Sequence, residues 1–387
     1  MAVLSPLAER MTRIAPFHVM ELLGRARALQ AAGRDIVHME VGEPNFSTPD
    51  PIIEAGRQAL ADGLTHYTPS LGLPALREAV AGFYQQRYGV GIDPARVLIT
   101  PGASGALQLL LGVLVNPGDK VLMADPGYPC NRHFVSLYGG EPLALPVGPE
   151  SGYQLTAALV EQHWQPGTVA VMLSSPSNPT GTLVPPAELQ AIHRFVQGQG
   201  AQLLVDEIYH GLVYGQRPMT AAALSPAVMV VNSFSKYFGM TGWRLGWCIA
   251  PPDYIPHLDR LAQNLFLAAS TPAKYAALAA FQPATIDILE QRRETFERRR
   301  DRLLPGLREL GFDIPLTPQG AFYLYADSSR FGDDSDALAE RLLVDAGVCI
   351  TPGKDFGDFR PERHLRFAYT VSSERLDQGL ERLQRYL

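Results

Sequence analysis

Lysine is scarce in this 387-residue chain: Lys120, Lys236, Lys274 and Lys354 are the only ones, and arginine supplies the rest of the 33 basic side chains. Chemistry that needs a lysine amine therefore has few candidates. Cysteine is rarer still, and Cys130, Cys248 and Cys349 are far apart with no CxxC pair. That excludes a disulfide framework or a zinc ribbon and fits a reducing compartment. No metal site is expected. No stretch of about 18 uninterrupted apolar residues occurs. The opening MAVLSPLAERMTRIAPFHVM carries charges where a signal peptide needs an apolar core. The chain is expected to be cytoplasmic, neither secreted nor membrane-spanning. An excess of positive charge is also missing: the net charge of -6 excludes a general polyanion binder, because nucleic-acid affinity rests on clustered Lys and Arg. Any phosphate bound here needs a dedicated local site.

What is present is an ordinary globular composition, 46% hydrophobic and 19% charged, in a chain longer than one hydrophobic core usually serves. From residue 96 onward short β-rich runs alternate with helical periodicities: RVLIT, ASGALQLLLGVLV, DKVLMAD, EPLALPV, TVAVMLSS, PAELQAIHRFVQGQG, QLLVDEIY, AVMVVNSFS and RLGWCIA. The alternation predicts an α/β protein with a parallel or mostly parallel, doubly wound sheet, whose ligands bind at the C-terminal ends of the strands. After about residue 285 the texture changes to a long charged helix, then AFYLYAD, a helix near 335 to 346, GVCI, HLRFAYT and a terminal helix, which reads as a smaller α+β domain. The first 45 or so residues are too few to bury a core alone and are expected to pack on that domain. The expected division is a large domain over 47–285 and a small one made of 1–46 plus 286–387.

Several segments carry candidate chemistry. NSFSKYFGMTGWRLGW, residues 232 to 247, puts Lys236 after an apolar strand among Ser233, Ser235, glycines and Arg244, with no acid beside it in the sequence. A lysine that attacks an aldehyde must be neutral, and poor solvation with a neighbouring cation favours that form. Taken alone, it is equally readable as a surface lysine. ITPGASGAL is a strand, a glycine turn and a helix start, so the N–H groups of Ala103 and Ser104 can face an anion, although such turns also serve as plain caps.

SFSK followed by GxxGxRxG resembles the cofactor-lysine signature of the class I/II aminotransferases, the fold type I pyridoxal-phosphate enzymes. The other segments follow in the order that family has, over about residues 14 to 385. The resemblance implies that Lys236 holds pyridoxal 5'-phosphate, that Ala103, Ser104, Ser233, Ser235 and Arg244 surround its phosphate, and that Tyr128 in DPGYP stacks on its ring. It assigns Asn178 in SSPSNPTG to the ring oxygen O3' and the substrate carboxylate, where a local turn role is the plainer reading. Asp206 in VDEIY would face the ring nitrogen, with helix capping as its plainer role, and Tyr209 would donate to O3'. Arg366 in LRFAYT would clamp the substrate carboxylate, against a surface arginine on an edge strand. Gly42 in VGEPNF would lie near that carboxylate, with Asn45 where the family usually has aspartate. HYTPSLGLPALR resembles the segment whose tyrosine reaches a neighbouring subunit's cofactor, so Tyr67 implies a homodimer.

The activity implied is transfer of an amino group between an L-amino acid and a 2-oxo acid by a ping-pong mechanism. Residues 261 to 275 hold no arginine, whereas dicarboxylate-selective members bring one there. Uncharged, alanine-like or larger apolar substrates are therefore expected, with pyruvate or 2-oxoglutarate as acceptor. Arg13 is a candidate helper for the second carboxylate of 2-oxoglutarate. A carbon–sulfur β-lyase would use the same Lys236, Asp206 and Arg366. A pyridoxal-phosphate-binding regulatory domain is expected to follow a DNA-binding segment, of which these residues show none. A nicotinamide dehydrogenase needs a GxGxxG after its first strand, which is lacking.

Overall fold

Seven of the apolar segments meet in one sheet. The computed structural model describes residues 7–16 and 18–387; residues 1–6 of the charged N-terminal stretch, and Phe17, lie outside them. In chain order the strands are β1 (Val37–His38), β2 (Val97–Thr100), β3 (Lys120–Asp125), β4 (Glu141–Pro146), β5 (Thr168–Ser174), β6 (Gln202–Asp206), β7 (Met229–Ser233), β8 (Gly246–Ile249), β9 (Tyr323–Asp327), β10 (Val348–Cys349), β11 (Thr351–Pro352) and β12 (His364–Ala368).

The large sheet runs β2-β8-β7-β6-β5-β3-β4. Pairs from β7 through β4 are parallel, while β8 is antiparallel to both β7 and β2. The sheet is thus mostly parallel, as expected, with one strand reversed. No helix forms between Ser233 and Gly246, and a parallel return needs a crossover that is usually helical. Without one the chain doubles back beside the strand it has just left.

Alternation along these strands divides two cores. Ile99, Val171, Leu173, Leu203, Val205 and Val230 belong to one cluster. Their neighbours Leu98, Ala170, Met172, Leu204, Met229 and Val231 belong to the other. Successive side chains point to opposite faces, so a strand apolar at every position marks a sheet covered on both sides.

Two smaller sheets stand beside it. β11, β12 and β9 are antiparallel, with Arg366 in register between Thr351 and Tyr325. β1 pairs with β10 in parallel, which ties the early chain to the late chain. The helix His18–Ala31 begins on the Asp355 carboxylate, which accepts from the N–H groups of His18 at 3.0 Å and Val19 at 2.9 Å. A carboxylate there satisfies donors that a helix start leaves free. Among the described residues no helix is long and apolar enough to cross a membrane.

Candidate active site

β5, β6 and β7 end in Ser174, Asp206 and Ser233, and all three line a cavity of about 380 Å³. It therefore sits at the carboxyl edge of the parallel strands. β9 and β12 contribute Tyr323 and Arg366 from the small sheet, and Val19, Met20 and the turn Val41, Gly42, Glu43 close the remaining side.

Lys236 lies three residues past β7, is partly buried in the cavity wall, and donates from Nζ to the Gly42 carbonyl at 2.7 Å. Burial lowers its ammonium to about 8; Glu43 and Asp206 oppose the shift, and Arg366 and Arg244 assist it. The sequence shows no acid beside Lys236, whereas the fold brings these two carboxylates from distant segments. Asp206 is itself buried and raised to about 6 by desolvation, against a hydrogen bond from the Ile208 N–H at 3.0 Å and the charge of Lys236. A carboxylate so placed is short of charge compensation, which a protonated ring nitrogen would supply.

The start of the helix Gly102–Leu114 forms an anion cradle. Gly102 has φ +71°, and a Cβ built there would lie 2.8 Å from Arg244 Nη2. The guanidinium thus rests against the first turn, where the N–H groups of Ala103 and Ser104 are free of helix partners. Gly246 on β8 allows this approach, since a Cβ on it would stand 2.7 Å from the Gly102 carbonyl carbon and 2.8 Å from the Ala103 nitrogen. Ser233 Oγ lies 2.9 Å from Ser235 Oγ and 3.1 Å from the Leu245 carbonyl, and both serines line the same cavity.

Arg366 is 3% exposed, and its hydrogen bonds go to neutral oxygens: Asn178 Oδ1 at 2.9 Å, the Glu40 carbonyl, and Thr351 Oγ1 at 3.3 Å. Its guanidinium carbon stands 4.4 Å from the Tyr323 ring centre and 4.7 Å from that of Phe356, and its Nε is buried without a partner. A buried cation held only by neutral groups is suited to an anionic ligand. Tyr209 Oη lies 2.9 Å from Tyr323 Oη, and burial drives the Tyr209 phenol well above its ordinary range.

The cavity therefore gathers Gly42, Ala103, Ser104, Tyr128, Asn178, Asp206, Tyr209, Ser233, Ser235, Lys236, Arg244 and Arg366 in one place. It does not gather Tyr67, which is 85% exposed on the surface of the chain. Nor does it gather Arg13, which pairs with Glu9 at 3.2 Å on the surface. Asn45 accepts from Arg299 Nη1 at 2.9 Å and so anchors its loop. Among the lining residues that escape a reading of the sequence are Tyr323, and the pair Glu43 and Thr241, whose hydroxyl donates to the Glu43 carboxylate at 2.7 Å. AFYLYAD carries no signal for Tyr323 beyond an apolar strand.

A buried amine that loses its proton easily, a buried carboxylate in want of a cation, and a cradle for an anion together fit an aldehyde-bearing pyridine phosphate. On a mostly parallel α/β sheet they define a fold type I pyridoxal-phosphate enzyme. The chain belongs to the aminotransferase class I and II family, whose model matches residues 34–383. It is 38% identical to a valine–pyruvate aminotransferase of Mycobacterium tuberculosis, over 97% of each chain. It is 35% identical to an aspartate/prephenate aminotransferase of Thermus thermophilus, over 98% of each. A crystal structure of an aminotransferase from Mycobacterium tuberculosis superposes with a TM-score of 0.96 at 38% identity, covering 99% of both chains. The Thermus thermophilus aspartate aminotransferase with maleate gives 0.94 at 34% identity, over 99% of this chain and 100% of that one. The protein is an aminotransferase, and its cofactor is pyridoxal 5'-phosphate.

Proposed function

We propose that this enzyme moves the amino group of an L-amino acid with an uncharged, alanine-like or larger apolar side chain to a 2-oxo acid by a ping-pong mechanism. The observation that carries the substrate class is the set of charges around the cavity. Its cations are Lys236, Arg244 and Arg366, and each is already engaged, by the cofactor aldehyde, the phosphate and the substrate α-carboxylate in turn. No further lining cation among the described residues is left for a second carboxylate, and Glu43 would repel one. Val19, Met20, Val41, Leu107 and Ile208 offer apolar surface instead. Pyruvate suits this lining as acceptor better than 2-oxoglutarate does. The Mycobacterium tuberculosis relative, by its name a valine–pyruvate aminotransferase, supports the same class.

In this reading Ala103, Ser104, Ser233, Ser235 and Arg244 hold the cofactor phosphate, Tyr128 covers the ring, Asp206 faces the ring nitrogen, and Tyr209 with Asn178 faces the ring oxygen. When bound, the cofactor supplies an electron sink for the pair left at the substrate Cα. Arg366, with Asn178 and Gly42, orients the α-carboxylate. Lys236, with an ammonium lowered to about 8, holds a usable fraction of neutral amine near neutral pH. It takes the Cα proton and returns a proton on the cofactor side. We place residues 47–285 and 1–46 plus 286–387 as the two units that meet at this cleft. The working form is a cytoplasmic homodimer in which exposed Tyr67 serves the second copy. Initial rates with pyruvate and L-valine, L-alanine or L-phenylalanine should exceed those with L-aspartate at least tenfold in kcat/KM. A preference for L-aspartate would overturn the substrate class.

A further inference from the structure

Tyr323 occupies the middle of the cavity wall, where the two ends of the reaction site come together. Its hydroxyl is 2.9 Å from Tyr209 Oη, its ring lies beneath the Arg366 guanidinium at 4.4 Å, and its residue is 1% exposed. Across from it stands Gly42: a Cβ there would overlap Tyr323 Oη, with the ring carbon Cζ at 2.8 Å. The same Gly42 carbonyl receives Lys236 Nζ at 2.7 Å. One phenol thus touches the partner of the ring oxygen, the clamp for the substrate and the turn that receives the lysine.

We propose that Tyr323 is a positioning residue for both halves of the site, its hydroxyl donating to Tyr209 and its ring seating Arg366. The direction of the hydroxyl contact follows from proton counting, and rests on the reading that Tyr209 donates to the cofactor ring oxygen. Tyr209 has one proton. If that proton goes to the ring oxygen, its own oxygen must accept, and Tyr323 is the donor at hand. Donors in series strengthen one another, so Tyr323 makes Tyr209 a better stabiliser of negative charge on the ring oxygen. β9 holds Tyr323 rigidly, because Tyr323 pairs with Ala368 on the strand that carries Arg366.

The test uses the loaded enzyme and reads the pH midpoint of the bound cofactor's absorbance change, which reflects charge on the ring oxygen and the Lys236 nitrogen. Glu43, Asp206, Arg244 and Arg366 act on Lys236 and are kept in all variants. Tyr209→Phe should raise the midpoint, since the ring oxygen loses its donor. Tyr323→Phe keeps the ring under Arg366 and should raise it by a smaller amount, about 0.3 to 1 pH unit. The double variant should match Tyr209→Phe alone, because the Tyr323 hydroxyl acts only through Tyr209. Substrate KM should stay within about twofold in Tyr323→Phe and rise at least tenfold in Tyr323→Leu, where Arg366 loses its platform. A Tyr209→Phe shift without any Tyr323→Phe shift would overturn the hydroxyl role. Additive shifts would overturn the relay. No shift in Tyr209→Phe would instead overturn the underlying assignment of Tyr209.

Discussion

Arg366 Nη1 donates to Asn178 Oδ1 across 2.9 Å, joining strand β12 of the small sheet to the loop that follows β5 of the large one. The two residues are 188 positions apart, and in their proposed roles the contact fixes the substrate clamp relative to the cofactor. Arg366→Ala removes the fork and leaves Asn178 Oδ1 without its donor, while the Glu40 carbonyl keeps only the Thr351 hydroxyl at 3.0 Å. Losing one partner of a buried, charge-assisted set costs on the order of 2 to 5 kcal/mol. A fall in kcat/KM of about 30-fold to several thousand-fold is expected. Arg366→Lys keeps the charge without the planar fork and should fall between that variant and the wild type. Steady-state kinetics checks both.

The site is costly to the cofactor-free fold in a way that pH reveals. Burial takes the Lys236 ammonium from 10.5 to about 8. Below pH 8 the folded chain carries a buried cation. Between pH 8 and 10.5 the unfolded chain binds more protons, so stability rises with pH across that window. Asp206 has the opposite sign: raised from 3.8 to about 6, it makes the folded chain bind more protons, and stability falls as pH climbs through that range. Lys236→Met in cofactor-free protein should therefore melt higher than wild type at pH 7, by a few degrees, despite the lost bond to Gly42. The gap should narrow markedly by pH 10. Thermal melts at the two pH values decide it, and a wild-type chain melting higher at pH 7 would contradict the burial cost.

Gly246→Ala places a methyl group against the backbone of Gly102 and Ala103. No flexible side chain can yield there, so the strand or the helix start must shift. Overpacking of this kind costs on the order of 1 to 3 kcal/mol. Because the displaced atoms belong to the proposed phosphate cradle, cofactor affinity should weaken about 5- to 150-fold, while far-ultraviolet circular dichroism stays unchanged. Equilibrium titration with pyridoxal 5'-phosphate measures the effect.

These residues were unequally legible in the sequence. Asp206 stands out because a carboxylate at the end of an apolar strand needs a partner, and Arg366 because a guanidinium on a buried strand needs a carboxylate. Lys236 and Asn178 stand out through the segments that resemble the aminotransferase family. The glycine turn before Ala103 is visible from its local pattern. Tyr323 is not, since its strand AFYLYAD reads as core, and Phe322, Tyr323, Leu324 and Tyr325 are indeed all buried. The in-register partner of Arg366 on β9 is Tyr325, and only the packed side chains show that Tyr323 is the one that meets Arg366 and Tyr209. Val19 and Met20 look like ordinary packing positions of a first helix until Asp355 anchors that helix over the cavity. The reversal of β8 is hidden as well, because an apolar strand bears no mark of its direction. Glu43 and Thr241 meet across 198 positions, a contact that no local pattern announces.

The most direct test is the absorbance spectrum of the purified protein with pyridoxal 5'-phosphate, recorded before and after L-alanine, L-valine or L-phenylalanine is added, in wild type and in Lys236→Ala. The wild type should bind the cofactor and convert it to its amine form with release of one equivalent of 2-oxo acid, and added pyruvate should reverse the change. Lys236→Ala should show no turnover. A wild-type protein that takes up no cofactor, or that binds it and yields pyruvate and ammonia from cystathionine with no amine form, would contradict an amino-transfer role for this site.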